Sequence, residues 1–564
     1  MHRRLLTATA LLLLAGATPA FGAEPIMPLS EVQPGMRCTG LTVVQGTTIS
    51  SFDVEIVDVV AGDQVVDQPL LLVRVSGPTV DDTGIAEGFS GSPVVCDGRV
   101  AGAIAYGTGD YGNQLGYATP IEAMLGQPVP PVPTRAALRA PTPRPLATPI
   151  AVSGVARPVF TPFARIAAKA GIRLTAVPVA PDSSRFPVQT LAPGASVAVG
   201  LSSGDVTAGA VGTVTYVDGD KVYAFGHPFS GTGRRSLLLQ DAWVYGVVDN
   251  PLGTENAVSA KIAAPGHDLG TLTYDGRDGI AGLLGATPPS TALTVTVRNG
   301  ATGATRTSRA QVAEEAEVGL PDGVSPITIV APMAVGQAAY TALDGSPTLQ
   351  SARMCLRLTI AQLPKPIGFC RRYVGAYGGG QNAGGPFLSD LWTALNDLDV
   401  FAYGTPRLTR ADVALTVEPG LQQALLRSVE GPAVLRRGHE ARLVLHLQRY
   451  RGERFTRVAR LRVPRGAPLG RVRVDLTGRA LDGAESSGDI QLVLGGSRRD
   501  DGGDPGPKSY AGLAREVRSL GGSDGVRVQL RARGGGRRTA PQRLAADPEV
   551  RISGTASYAA RVER

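Results

Sequence analysis

Gly88-Phe89-Ser90-Gly91-Ser92-Pro93-Val94-Val95-Cys96-Asp97-Gly98-Arg99-Val100-Ala101-Gly102-Ala103-Ile104-Ala105-Tyr106-Gly107 is the most informative stretch of the chain. It reads as a glycine-flanked turn around Ser90, a short strand, a hairpin at Asp97-Gly98 and a second strand of small and branched apolar residues. The glycines allow backbone N–H groups to converge beside the serine. A serine hydroxyl is a poor nucleophile until a neighbouring base takes its proton, and a tetrahedral intermediate needs donors already in place. The N–H groups of Gly88 and Ser90 are candidates for those donors. The other common serine arrangement, a strand-to-helix elbow, wants G-x-S-x-G with a helix after it, and Ser92-Pro93 breaks that pattern.

Outward from this turn, residues 23–126 read as a strand-rich unit. Phe52, Val54 and Ile56 alternate with Asp53 and Glu55, and Leu70–Val75 is a further apolar run. The unit closes on Thr119-Pro120-Ile121-Glu122, where Thr119 is expected to cap a short helix with Glu122 completing a capping box. Residues 127–150 are rich in Pro, Ala and Thr, a composition expected to form a linker or surface strap that cannot sustain a sheet. In the next unit, 151–374, Val214–Val217 and Lys221–Phe225 flank Asp218-Gly219 and predict a hairpin, with His227 just past its second strand.

A glycine-rich loop and a helix over Leu388–Leu398 occupy 375–410. Val413–Val417, Ala441–Gln448, Val458–Val463 and Arg471–Leu476 then read as strands of a β-sandwich-like region, 411–500. The last segment, 501–564, follows a loose linker at 497–507 and predicts one amphipathic helix near Ala511–Leu520 and strands at Val526–Leu530 and Val550–Ser553. The whole is expected to be mainly β, in keeping with 72 glycines, 43 prolines and only 5% aromatic residues in a 564-residue chain.

The chain opens with Met1-His2-Arg3-Arg4, an apolar run from Leu5 to Ala17, and Ala20-Phe21-Gly22. These features predict a signal peptide over 1–22 and an exported protein, secreted or held in a cell envelope. The run is too short to span a membrane, and no later stretch is as uniformly apolar, so no membrane span is expected after cleavage. The formal charge of +8 comes from a basic set that is nearly all Arg, a bias that GC-rich codon usage produces. Attachment of the Arg-rich C-terminal region to an acidic envelope polymer is one consequence to test. Nucleic acid is not an expected partner, because no aromatic residues interleave with the arginines as stacking platforms would require.

Cys38, Cys96, Cys355 and Cys370 form an even set in a compartment where disulfides persist. A bridge from Cys38 to Cys96 would tie two strands of the first unit, and one from Cys355 to Cys370 would close a short loop. None has the spacing of a zinc site. The sequence carries no phosphate loop, metal cluster or dinucleotide fingerprint, so no cofactor is implied. His267, His439 and His446 are read as structural or solvated.

The Gly88–Gly107 stretch resembles the nucleophile turn and following hairpin of chymotrypsin-like peptidases. More closely, Gly35-Met36-Arg37, GLTVVQGT (40–47), FDVEIVDVV (52–60), GFSGSP (88–93) and YATPIEAML (117–125) resemble the SpoIVB serine peptidase domain. The segment GTVTYVDGDKVYAFGHPF (212–229) resembles the histidine-bearing part of the same family. The resemblance implies chymotrypsin-like barrel halves, serine half first and histidine half second, the reverse of the order in the sporulation member. It implies Ser90 as nucleophile and His227 as general base, with a peptide substrate lying along Ala105-Tyr106-Gly107. The acid member is unassigned: the family's Asp aligns with Gly77, leaving Asp81, Asp82, Asp241 and Asp275 as candidates. Two readings follow, an exported serine endopeptidase and a catalytically inactive peptidase-like scaffold that binds peptides or envelope components.

Overall fold

Strict alternation along Phe52-Asp53-Val54-Glu55-Ile56 puts three apolar side chains on one face of a strand, and in a computed structural model those three are buried. The structure describes residues 24–62, 66–130, 143–146, 149–169, 172–177, 186–252, 258–315, 324–344, 349–376, 385–479, 506–521, 525–533, 537–544 and 549–564. The expected signal peptide, the glycine-rich loop over 377–384 and residues 497–505 of the second linker lie outside them.

The first unit contains β1 (Arg37–Val43), β2 (Ile49–Val60), β3 (Leu70–Ser76), β4 (Pro93–Cys96), β5 (Arg99–Gly107) and β6 (Leu115–Pro120). Their pairings run β4-β1-β2-β3-β6-β5 and return from β5 to β4, so the sheet closes into a six-stranded barrel. Its interior is filled by Val54, Ile56, Leu71, Val73, Phe89 and Ile104 among others. Cys38 and Cys96 join β1 to β4 by a disulfide across the closure.

The predicted helix exists as a short α1 (Ile121–Met124), but the capping box does not. Thr119 is a strand residue whose hydroxyl donates to the carbonyl of Gly226, 2.6 Å away, and both Glu122 carboxylate oxygens accept from the amide of Leu29. A tertiary partner took each side chain that local spacing assigned to the cap. The Pro-rich linker also departs from expectation. Arg144–Pro145 forms β7, which pairs with β5, and Ile150–Ser153 forms β8, which pairs with the later strand Thr207–Asp218. Edge positions accept proline because its missing N–H can face away from the ladder.

After helix α2 (Arg157–Lys169) and β9 (Leu174–Ala176) comes a second closed ring. It is built from β10 (Ser196–Gly204), β11 (Thr207–Asp218), β12 (Lys221–Ala224), β13 (Gly233–Val248), β14 (Ala260–Gly276) and β15 (Gly279–Leu284). The pairings run β10-β13-β14-β15-β12-β11 and back to β10. The fold is therefore mainly β, with a serine-bearing barrel first and a histidine-bearing one second.

The same sheet extends through β16 (Ser290–Asn299), β17 (Thr305–Ala313), β18 (Leu349–Ile360), β19 (Ile367–Ala376) and β20 (Leu408–Pro419). Val413–Val417, read from sequence as a sandwich strand, lies in β20 and pairs with β16 and β18 instead. Helix α3 (Pro326–Ala342) packs on β16 and β17, with α4 (Gly385–Asp399) beside it. Two further sheets pack face to face over a separate apolar core that includes Leu443, Leu461, Val474 and Leu530, giving the sandwich-like C-terminal region. Cys355 and Cys370 are directly opposed on β18 and β19 and form the second disulfide. Among the described residues no helix is long and apolar enough to cross a membrane.

Candidate active site

Ser90 sits in the turn that enters β4, between Gly88 at φ +88° and Gly91 at φ +94°. Positive φ explains part of the glycine requirement, and close approach explains the rest. A Cβ on Gly91 would lie 1.9 Å from the carbonyl oxygen of Thr213 and 2.5 Å from the amide nitrogen of Phe225. The backbone of the serine turn therefore rests directly on the backbone of the second barrel. Hydrogen bonds fix the contact: Thr213 N–H donates to the Ser90 carbonyl at 2.8 Å, and the Thr215 hydroxyl donates to the Gly91 carbonyl at 2.7 Å.

From the second barrel, the chain leaves β12 through Phe225 at φ +71° and Gly226 at φ +70°. A buried phenylalanine in left-handed geometry is costly, and it persists because packing over-determines it. The result is to aim His227 back at the first barrel. Its Nε2 lies 2.8 Å from Ser90 Oγ, and its Nδ1 lies 2.8 Å from the carbonyl oxygen of Pro228. A carbonyl can only accept, so Nδ1 carries the proton of the neutral ring and Nε2 is left as the acceptor for the serine O–H. Burial holds the His227 pKa below its ordinary value, opposed by the Pro228 hydrogen bond and by the charge of Asp275. Ser90 is 0% exposed and His227 2%.

The four carboxylates considered from sequence lie elsewhere, and among the described residues none hydrogen-bonds to His227. Asp81 accepts from the amide of Gly77, and Asp82 is exposed on the same turn. Asp241 accepts from Nδ1 of His267 at 2.8 Å and from the His267 amide. Asp275 comes nearest in effect: fully buried, it accepts from the amides of Phe229, Ser230 and Gly231 and from the Ser230 hydroxyl, with Arg235 at 3.6 Å. It anchors the loop that carries His227 rather than the ring itself.

Among the described residues, the amides of Gly88 and Ser90 have no hydrogen-bond acceptor. The peptide plane before Gly88 is fixed from behind, because the Glu87 carbonyl accepts from the amide of Lys261 at 2.9 Å. The Lys261 side chain then passes against Gly88, places Nζ 4.9 Å from the centre of the Phe89 ring, and donates to the hydroxyls of Thr42 at 2.8 Å and Thr213 at 3.2 Å. Thr213 in turn donates to the Gly88 carbonyl at 3.0 Å. No carboxylate pairs with this ammonium among the described residues, and burial lowers its pKa to about 7. The sequence reading missed Lys261. Its one signal was a lysine on an apolar strand in a chain that has only five lysines.

The strand Ala105-Tyr106-Gly107 follows the serine hairpin, and Tyr106 and His227 have ring centres 6.1 Å apart. That strand already has a neighbour: Tyr106 and Gly107 pair antiparallel with Pro145 and Arg144, and the Leu146 amide donates to the Ala105 carbonyl at 3.2 Å.

Residues 22–125 match the family model described as SpoIVB peptidase S55. This segment is similar to the SpoIVB peptidase family. The matched SpoIVB segment comprises the first barrel with Ser90, Gly88 and the Ala105–Gly107 strand, and it ends before His227. No curated protein and no solved structure gives a match. The pairing of the SpoIVB-type serine with His227 therefore rests on the geometry above.

Proposed function

We propose that this chain is an exported serine endopeptidase in which Ser90 attacks the substrate carbonyl and His227 is the general base. The observation that carries the reading is the 2.8 Å approach of His227 Nε2 to Ser90 Oγ, with Nδ1 committed to the Pro228 carbonyl. As the Ser90 oxygen bonds to the carbonyl carbon, its proton passes to Nε2, and the carbonyl oxygen takes up negative charge near the Gly88 and Ser90 amides. The C–N bond then breaks, the imidazolium gives its proton to the departing amine, and water releases the acyl group by the same route. The buried Asp275 carboxylate favours the transient imidazolium by its charge. Substrate is a protein or peptide laid along Ala105–Gly107. The two disulfides suit an extracytoplasmic setting.

Labelling of purified protein with a serine-directed fluorophosphonate, with the adduct located by mass spectrometry, tests this directly. The expected adduct is on Ser90 and is lost in Ser90→Ala and in His227→Ala. Absence of any adduct under conditions that label a control peptidase, both in wild type and in variants that open access to Ser90, would sink the enzymatic reading. The second reading, a peptide-binding scaffold, is favoured by the near-complete burial of Ser90 and His227 and by the absence, among the described residues, of a carboxylate on the histidine. Salt-dependent retention on acidic envelope polymer, the role considered for the Arg-rich C-terminal region, is independent of both.

A further inference from the structure

The edge of β5 beyond the serine hairpin is occupied by a piece of the chain itself, and the register of that piece is informative. The Gly91 amide donates to the Ile104 carbonyl, so Ile104 stands level with the serine turn and β5 leads away from it through Ala105, Tyr106 and Gly107. The strap runs antiparallel, with Arg144 opposite Gly107, Pro145 opposite Tyr106 and the Leu146 amide bonded to Ala105. Its direction therefore carries the chain toward the serine turn, and among the described residues 143–146 Leu146 is the last along that direction. Proline is compatible with the middle position. If Leu146 and Ala105 are a hydrogen-bonded pair, the next pair along an antiparallel ladder is a non-hydrogen-bonded one and demands no N–H from Pro145. Leu146 is 6% exposed, its Cδ2 lies 3.5 Å from where a Cβ on Gly107 would sit, and it joins the apolar core of the serine barrel. Arg144 projects into solvent.

We propose that residues 143–146 act as an internal peptide held in the substrate groove, where they block access to Ser90 and report what the groove selects. This rests on the peptidase reading of Ser90. The favoured occupant is an extended segment that adds a strand to β5, with an aliphatic side chain of leucine size at the position of Leu146 and proline tolerated just before it. The strap excludes a second peptide from the same edge.

The test compares wild type with Leu146→Asp, which places a charge where the aliphatic side chain is buried, and with the milder Leu146→Ala, each checked for an intact thermal transition. Fluorophosphonate labelling of Ser90 should accelerate by about tenfold or more in Leu146→Asp, because the accessible fraction of molecules rises, and by less in Leu146→Ala. Amide exchange should show protection at Leu146 in wild type that disappears in Leu146→Asp. The synthetic peptide Pro-Thr-Pro-Arg-Pro-Leu-Ala-Thr, matching residues 141–148, should bind Leu146→Asp and not wild type, and its Leu→Asp form should bind neither. An unprotected Leu146 amide in wild type, or an unchanged labelling rate in folded variants that have lost the strap, would overturn the proposal. If Ser90 labels in no protein while the peptide still binds only the strap-displaced variant, the enzymatic reading falls and the groove and its occupant stand.

Discussion

The Nδ1 of His227 meets the carbonyl oxygen of Pro228 at 2.8 Å, in the position where a catalytic triad presents a carboxylate. The two partners do the same thing for the tautomer and different things for the charge. Either acceptor keeps the proton on Nδ1 and leaves Nε2 free to receive one from Ser90. A neutral carbonyl offers less to the imidazolium that follows, so the ring should be harder to protonate than in a triad. Burial pushes in the same direction. The Ser90 labelling rate should therefore hold its plateau down through pH 6.5 and fall only below it, since the base remains neutral to lower pH than an ordinary histidine. Other groups packed near the turn are Glu87, raised by burial and opposed by Arg173, Lys261 at about 7 and Tyr106 pushed up to about 12. An acid limb that survives both Lys261→Met and Glu87→Gln belongs to His227. A limb centred at or above 6.5 in those variants would contradict the assignment.

Asp275 should behave as the anchor of the histidine loop. In Asp275→Asn, one of the two oxygens that accept from Phe229, Ser230 and Gly231 becomes a donor, and Arg235 loses one of its two nearby carboxylates in a fully buried place. A loss of about 2 kcal/mol in stability is expected from the buried amides left unpaired and from leaving the buried Arg235 with Glu315 as its remaining carboxylate. The discriminating readout is the pH profile. Because the Asp275 charge raises the His227 pKa, its removal should move the acid limb to lower pH. A purely structural role predicts lower stability with the limb unmoved.

Lys261→Met tests the support behind Gly88. The lysine pKa is depressed in the folded state, so between about 7 and 10.5 the unfolded chain binds a proton that the native chain does not. Stability from this group therefore rises with pH across that window, by up to about 1.4 kcal/mol per pH unit, and declines as pH falls toward 7. Denaturant titrations at pH 7 and pH 9 should show that rise in wild type and lose it in Lys261→Met. The same variant removes the Nζ bond to Thr213 and so loosens the hydroxyl that holds the Gly88 carbonyl, which should slow Ser90 labelling at every pH.

The turn around Ser90, the hairpin at Asp97-Gly98 and the strand leading to Tyr106 were legible because their signals are local: glycines at forced φ, a favoured turn dipeptide, alternating apolar residues. The double-barrel arrangement came from resemblance, not from periodicity, since nothing in a strand's own sequence names the partner that closes the ring. Long-range partners were also what defeated the capping box, where Thr119 is bonded to Gly226 and Glu122 to Leu29. Helix α3 escaped notice because it is buried on nearly all sides, so Ile327, Val330, Met333 and Val335 show no polar face for a helical period to reveal. The strap at Arg144–Leu146 was hidden by its prolines, whose composition says linker while their register permits an edge strand.

Gly91 offers the sharpest test of how the two barrels make one site, because the chain supplies its own control. Gly91 at φ +94° and Gly98 at φ +72° both require left-handed geometry, and alanine at either should cost about 1–2 kcal/mol for that reason alone. They differ in what a methyl group would meet. At Gly98 there is nothing within 4 Å, whereas at Gly91 the Thr213 carbonyl is at 1.9 Å and the Phe225 amide at 2.5 Å, both backbone and neither able to swing aside. Gly98→Ala should thus lose a little stability and label at Ser90 as wild type does. Gly91→Ala should lose several kcal/mol more or separate the barrels, with Ser90 labelling falling to the level of His227→Ala as the serine and histidine move apart. Equal behaviour of the two variants in denaturant titration and labelling would mean that the contact between the serine turn and Thr213 does not hold the pair together.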